Sequence, residues 1–202
     1  RRPPRSTLFP STTLFRSANS GEDSLLGRRL PNAAAMAVSI PEAVKAAYPD
    51  EAAKGDEALV RAAFGDRYMV GPARWLAGQA AGGQPAWLYH FSYVGSRFRP
   101  MGVTTAAHAA EIQYVFEYWG RRTPPSMVAA DDRAMATLMH GCWVAFAKSG
   151  APACDISWPA YDRARDELVE FGGQSGLRVG FRQRQLDAQQ LDVLPDLALP
   201  EN

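Results

Sequence analysis

Residues 86–116 read AWLYHFSYVGSRFRPMGVTTAAHAAEIQYVF, and this stretch decides the fold. Its first part, 86–94, alternates aromatic residues with others, which is typical of a β-strand because successive side chains point to opposite faces of a sheet. An irregular loop with glycine and proline follows over 95–107. His108 then stands among small residues that leave its imidazole accessible, and loops on a rigid scaffold commonly carry catalytic groups.

Helices and a hairpin are predicted on both sides of this strand. Hydrophobic residues recur at spacings of three and four between Met135 and Phe146, which indicates one buried helical face. The other predicted elements are helices over 41–48, 56–64, 67–81 with Asp66 as N-cap, 132–149 with Asp131 as N-cap, and 183–192, and a hairpin formed by 167–171 and 177–182. A chain that mixes strands and amphipathic helices in this way is predicted to be either α/β or α-rich.

Composition excludes several function classes. The chain has 202 residues, of which 47% are hydrophobic, so it can bury a core. Its net charge of +1 gives no basic footprint for nucleic acid. The longest apolar stretches, such as 33–40, fall short of the roughly 20 residues that a membrane span needs. Cys142 and Cys154 fit either two free thiols or one bridge, and they lack the spacing of a zinc site.

The first seventeen residues, RRPPRSTLFPSTTLFRS, resemble a translated sequencing adapter whose in-frame reading is RRPPRSTLFPYTTLFRS. The two strings differ only at Ser11, and the alternative is a basic transit or disordered segment. We therefore expect 1–17 to be non-native, with no well-packed place in the core, and the genuine chain to occupy 18–202. Without the four arginines of this segment the net charge becomes −3, which disfavours nucleic acid further.

The string from His108 to Phe116 resembles a known catalytic motif. Type-B carboxylesterases, the cholinesterase-like and para-nitrobenzyl-esterase-like branch of the α/β-hydrolases, carry their catalytic histidine in a Gly-Ala-x-His-Gly-x-Glu-Ile-x-Tyr-Val-Phe string. Here Ala109 replaces the usual glycine after the histidine. Four other stretches resemble motifs of the same family in the same order: Asp66-x-Tyr68 with Pro72, the strand from Trp87 to Tyr93, Trp143 to Pro152, and Trp158-Pro-Ala-Tyr161.

The resemblance also implies an acid. Asn19-Ser-Gly-Glu22 is similar to the family's Asn-x-x-Glu, which ends a central strand and supplies the triad carboxylate. By this resemblance, Glu22 accepts the Nδ1 proton of His108, and Nε2 is then free to take a proton from a serine. The separation of Glu22 from His108 suits bacterial members of the family. We expect these two side chains to approach within hydrogen-bond distance.

Other candidates for the acid and the base are weaker. Asp23 is the nearest rival of Glu22, but it does not fit the Asn-x-x-Glu register. Glu111 shares the histidine's own segment and is interpreted as a salt-bridge or capping group. His90 is expected in the core on the strand face opposite the aromatic row, and His140 is expected to be structural or at the surface.

The sequence lacks two parts of this family's machinery. The nucleophile of the family lies in a Gly-x-Ser-x-Gly elbow, and its oxyanion hole comes from glycine amides on an upstream loop. No Gly-x-Ser-x-Gly occurs among the 202 residues. We therefore expect the C-terminal portion of an α/β-hydrolase fold, comprising the last strands of the central sheet with flanking helices, truncated at the N-terminus and inactive alone.

Three hypotheses about function are compatible with the sequence. The first is the C-terminal part of a serine carboxylesterase that hydrolyses carboxylic esters through an acyl-enzyme. The second is a non-catalytic cholinesterase-like binding or adhesion protein, and the third is an unrelated small domain. The first implies a small-molecule ester substrate and no cofactor or metal, while the compartment, the oligomeric state and the particular ester are left open.

Overall fold

A four-stranded sheet forms the centre of the molecule, which a computed structural model describes over residues 14–80, 85–120 and 123–197. The strands follow the chain order β1-β2-β3-β4, with β1 and β3 parallel to β2 and β4 antiparallel to β3. They span Leu14–Asn19, Ala86–Phe91, Glu167–Phe171 and Gly176–Val179. The strand and the hairpin predicted from the sequence are confirmed, and so is the mixed α/β class.

Helices connect the parallel strands, which is the usual form of a parallel crossover, and a further helix follows β4. They span Ala33–Ser39 (α1), Glu42–Lys45 (α2), Pro49–Ala52 (α3), Asp56–Gly65 (α4), Gly71–Gln79 (α5), Ile112–Val115 (α6), Ala130–Ser149 (α7) and Gln183–Leu197 (α8). In the part of the chain that the structure describes, none of them is long and apolar enough to cross a membrane.

Strand β2 is covered on both faces, and all six of its residues are buried. Tyr89 and Phe91 belong to an aromatic core that includes Met139 of α7. On the opposite face, Leu88 packs with Ala77 of α5. Burial on both faces is characteristic of a central parallel strand.

The two cysteines form a bridge. Cys142 and Cys154 are joined by a disulfide that links α7 to the loop after it. This loop leads to Trp158, whose indole Nε1 donates a hydrogen bond to the carbonyl oxygen of Leu88 at 3.1 Å. Of the two alternatives that the sequence left open, the structure contains the bridge.

The expectation that residues 1–17 have no packed place in the core is wrong for residues 14–17. They form most of β1, where the ring of Phe15 stacks on that of Phe146 at 4.4 Å between centroids. The physical reason is that β2 offers a free row of backbone donors and acceptors on this side, which an extended, strand-compatible segment satisfies. Residues 1–13 lie outside the described residues, and the adapter origin of this segment stays a prediction.

The two predicted N-caps are wrong. The helical run continues from α4 to α5 through a π-helical turn, Asp66–Val70, and Asp66 is buried inside it. Its carboxylate accepts hydrogen bonds from Tyr48 and Arg182 in place of backbone amides. In α7, the N-cap position is Ala129, and the carboxylate of Asp132 reaches back to its N–H at 3.2 Å.

His90 makes the fold sensitive to acid. Burial lowers the pKa of His90 to about 4, while Glu170 raises it and Arg182 lowers it further. The unfolded chain has a higher histidine pKa, near 6.5, so it binds the proton more tightly than the folded chain. The stability that His90 contributes is complete above about pH 6.5 and is lost as the pH falls towards 4.

We therefore expect the His90→Gln variant to lose less stability than the wild type between pH 6.5 and 4, by about 3 kcal/mol. Urea unfolding at several pH values measures this difference. Equal pH dependence in both proteins would contradict the assignment of His90 as a buried neutral residue.

Candidate active site

The acid and the histidine segments leave the same edge of the sheet. Strand β1 ends at Asn19 and is followed by a 3₁₀ turn, Glu22–Leu26, while the chain beyond β2 leads through a loop to His108. Because β1 and β2 are adjacent and parallel, their carboxyl ends lie side by side, which is where open α/β sheets commonly build their sites.

Hydrogen bonds join the two segments at nearly every residue. The N–H of Ala106 donates to the Ser20 hydroxyl, and the N–H of His108 donates to the Ser24 hydroxyl, both at 2.9 Å. The N–H of Gly21 donates to the carbonyl oxygen of Ala106 at 2.8 Å. The acid segment therefore fixes the backbone that carries His108.

Gly21 is required by this close approach. A Cβ at this position would lie 2.8 Å from both the Ala106 carbonyl oxygen and the Thr105 hydroxyl oxygen. Any side chain would push the two segments apart, so the absence of one allows the acid segment to lie directly against the histidine loop.

Glu22 and His108 are in contact. His108 Nδ1 lies 2.5 Å from Glu22 Oε2, although the two residues are 86 positions apart in the chain. The other carboxylate oxygen, Oε1, accepts the N–H of Asn19 at 2.7 Å. The carboxylate is an obligatory acceptor, which assigns the imidazole proton to Nδ1 and leaves Nε2 as a base. The contact expected from the sequence is present.

Burial separates the roles of the two groups. The Glu22 side chain is 6% exposed and the His108 side chain is 45% exposed. A buried carboxylate behind a half-exposed imidazole can orient the ring and stabilise its charged form while the ring itself meets a reactant. This arrangement fits a histidine that accepts and returns a proton at Nε2.

The remaining candidates lie elsewhere. Asp23 pairs with Arg61 at 3.3 Å and does not reach the imidazole. Glu111 occupies the N-cap position of α6, where its side chain makes no capping bond and, among the described residues, no ion pair; its carboxylate accepts a hydrogen bond from the Asn19 amide at 2.5 Å. His90 is buried in β2, and Nδ1 of His140 is bonded to the carbonyl oxygen of Val115, as expected for structural residues.

Sequence reasoning missed the hydroxyls that hold the histidine loop. Ser20 and Ser24 occur in a polar run that reads as an ordinary turn, and nothing in their spacing identifies a partner more than eighty residues away. The only available signal was the run itself, because a segment directly after a buried strand that is rich in short polar side chains can bind a neighbouring loop.

The loop carries a strained residue directly after the histidine. Ala109 has a φ of 63°, in the left-handed region that a side chain disfavours. This explains why a glycine suits this position, and Ala109→Gly is expected to raise the free energy of unfolding by about 0.5–1 kcal/mol. Chemical denaturation measures it.

Ala134 provides the matched control for that substitution. It is exposed within α7, where glycine costs backbone entropy, so Ala134→Gly is expected to lower stability by about 0.5–1 kcal/mol. Loss of stability in both variants would show that the left-handed backbone of Ala109 is not strained in solution.

An open pocket of about 610 Å³ adjoins His108. Its walls come from the loop after β2 and from the segment that follows the histidine, and they include Val103, Ile112 and Trp119. Among the described residues that line it, none is Asp, Glu, Lys or Arg. The surface beside the imidazole therefore suits an uncharged, apolar group.

Comparison with known proteins identifies the family of this chain. A model of the carboxylesterase family matches residues 15–189. The chain belongs to the carboxylesterase family. The family that the sequence motifs indicated is therefore confirmed, and the match begins within the adapter-like segment. No curated protein sequence matches this carboxylesterase-family chain.

Solved esterase structures share the fold. The structure titled PNB esterase superposes with a TM-score of 0.64 at 19% identity, covering 88% of this chain and 38% of its own. The carboxylesterase EST55 of Geobacillus stearothermophilus, at pH 6.2, gives a TM-score of 0.62 at 26% identity, covering 75% of this chain and 32% of its own. The carboxylesterase-family chain thus spans about a third of these structures, and the α/β-hydrolase fold is confirmed for that part.

Proposed function

We propose that this chain is the C-terminal part of a serine carboxylesterase, in which Glu22 and His108 are the acid and the base of the catalytic triad. The observation that carries the proposal is the contact between His108 Nδ1 and Glu22 Oε2 across 86 residues. Family membership supports it, because carboxylic ester hydrolysis through such a triad is what the resemblance of these motifs implies.

The proposed mechanism assigns one proton transfer in each direction to His108. Nε2 takes the proton of a serine hydroxyl as the oxygen attacks the ester carbonyl, and the imidazolium then protonates the leaving alcohol. In the second half-reaction, Nε2 takes a proton from water as the water oxygen attacks the acyl-enzyme, and the imidazolium returns a proton to the serine oxygen as the carboxylic acid leaves. Throughout, the Glu22 carboxylate holds the Nδ1 proton and stabilises the imidazolium, without taking the proton itself.

The serine and the oxyanion hole are proposed to come from sequence that precedes this part in the complete enzyme. No Gly-x-Ser-x-Gly elbow occurs among the 202 residues, and the chain covers only 38% of the PNB esterase structure. The charge-free wall beside His108 favours an ester with an uncharged group at that position. We propose that the 202-residue chain alone does not hydrolyse esters.

A fluorophosphonate probe and a p-nitrophenyl ester test the proposal. The chain alone should release p-nitrophenol no faster than its His108→Ala variant, and it should not be labelled. The same segment, expressed with its natural upstream sequence, should hydrolyse the ester and take up one label on the serine of a Gly-x-Ser-x-Gly elbow. Upstream sequence without such an elbow would overturn the proposal of an esterase. It would favour the alternative of a non-catalytic binding protein.

A further inference from the structure

Asn19 contacts the acid of the proposed pair and the segment that carries its histidine. Its side-chain Nδ2 donates hydrogen bonds to the carbonyl oxygen of Ala107 at 2.8 Å and to Glu111 Oε2 at 2.5 Å. Its backbone N–H donates to Glu22 Oε1 at 2.7 Å. A single residue, 3% exposed, thus binds the triad acid, the residue before the histidine and a carboxylate three positions after it.

The orientation of this amide is fixed by its partners. Both groups that face Nδ2 are acceptors, so turning the amide over would bring its oxygen against a carbonyl and a carboxylate. Oδ1 is buried and has no hydrogen-bond partner among the described residues. Because an unsatisfied buried acceptor destabilises a fold, stability alone does not explain an asparagine at this position.

Glu111 makes the position of this amide important. It lies on the histidine's own segment, and as an acceptor it could attract an imidazole N–H in competition with Glu22. The two Nδ2 protons occupy Glu111 Oε2 and hold the Ala107 carbonyl against β1. Glu22 then remains as the carboxylate that meets the imidazole.

We infer that Asn19 is a positioning residue for the Glu22–His108 pair, and this inference rests on the proposed function. Asn19 acts through its neighbours, since it touches neither the imidazole nor the proposed reacting atoms. It sets the register of the histidine loop against β1 and keeps Glu111 away from the imidazole. The consequence is a single tautomer of His108, with the proton on Nδ1 and an accepting Nε2.

Nitrogen-15 NMR of the full chain tests the inference, because it reports which ring nitrogen of His108 holds the proton and how fast that proton exchanges with water. In Asn19→Ala, we expect a mixture of the two neutral tautomers and at least about tenfold faster exchange of the Nδ1 proton. Asn32→Ala, which removes an exposed asparagine without a side-chain capping bond, should match the wild type.

A purely structural role would lower the melting temperature of Asn19→Ala and leave the tautomer of the folded molecules unchanged. Wild-type tautomer and wild-type exchange in a folded Asn19→Ala chain would therefore overturn the inference.

Exchanging the donor and the acceptor tests the contact between Asn19 and Glu111 without shortening either side chain. Asn19→Asp sets a carboxylate against Glu111 and the Ala107 carbonyl, and we expect the fastest exchange of the Nδ1 proton in this variant. Adding Glu111→Gln supplies a donor amide from the other side and should slow that exchange again, even though the Ala107 contact stays lost. Equal exchange in the single and the double variant would overturn the role of the Asn19–Glu111 link.

The failure of the proposed function gives a different result. If the wild-type chain itself holds the proton on Nε2, the Glu22–His108 pair is not formed as proposed. If the wild type holds the proton on Nδ1, and every folded Asn19 variant keeps both that tautomer and the wild-type exchange rate, the pair stands and only the positioning role of Asn19 is lost.

Discussion

Replacing His108 by alanine in the complete esterase is expected to lower kcat by at least about 10⁴-fold, with a much smaller change in KM. The reason is that His108 Nε2 is the proposed acceptor of the serine proton, and its partner Glu22 lies 2.5 Å from Nδ1 to keep Nε2 free. The apolar walls of the adjoining pocket, such as Val103, Ile112 and Trp119, are left intact by this substitution, so we expect substrate binding to change little. The loss therefore falls on the chemical step, where the transition state needs the base.

Steady-state hydrolysis of a p-nitrophenyl ester measures this effect. His140→Ala is the control, because the Nδ1 of His140 is bonded to the backbone of Val115 and serves the packing of α6 on α7. It should leave kcat within about twofold of the wild type, since the substitution lies outside the acid–base pair. If His108→Ala retains more than a tenth of the activity, the proposed base is another group.

Arg74→Met is expected to lower the free energy of unfolding by about 3–5 kcal/mol, because it leaves a buried carboxylate without its counterion. Arg74 forms a two-point pair with Asp166, with N–O distances of 2.9 and 2.8 Å, and both side chains are nearly buried. A further bond of 2.6 Å reaches Asp187. The arginine thus ties α5 to the chain before β3 and to α8.

Urea unfolding of the wild type, the two single variants and the double variant separates the contribution of this ion pair to the free energy of unfolding from the contribution of packing. Arg74→Met and Asp166→Asn should each destabilise the chain, and the double variant should be more stable than the sum of the single losses predicts. Arg165→Met is the control, since its side chain is 55% exposed and its contacts are 3.4 and 3.5 Å long, so its effect should stay within about 0.5 kcal/mol. Additive effects of Arg74→Met and Asp166→Asn would contradict the coupling.

The sequence predicted the elements that are periodic or locally marked. The alternation in 86–94 located β2, and the apolar spacing from Met135 to Phe146 located the buried face of α7. The sequence pattern was misleading at Asp66. This residue type normally caps helices, but here it is buried and hydrogen-bonded to Tyr48 and Arg182. Local propensity cannot anticipate a partner that the tertiary fold supplies from 116 positions away.

The same limit applied to the candidate site. Physical pattern marked His108 only as an accessible loop histidine and left Glu22 as an ordinary turn residue, and both roles were assigned by resemblance to family motifs. The contacts of Asn19, Ser20 and Ser24 depend on the alignment of β1 and β2. This strand pairing cannot be predicted from the sequence of either segment alone. The strained backbone at Ala109 became visible only once the loop had a conformation.

The tautomer of His108 in the 202-residue chain tests the central claim most directly. At a pH where the imidazole is neutral, nitrogen-15 NMR should find the proton on Nδ1 in the wild type and in Asp23→Ala, whose carboxylate faces Arg61. In Glu22→Ala the proton should move mainly to Nε2, because its acceptor has been removed. A proton on Nε2 in the wild type, or an unchanged tautomer in Glu22→Ala, would contradict the assignment of Glu22 and His108 as an acid–base pair.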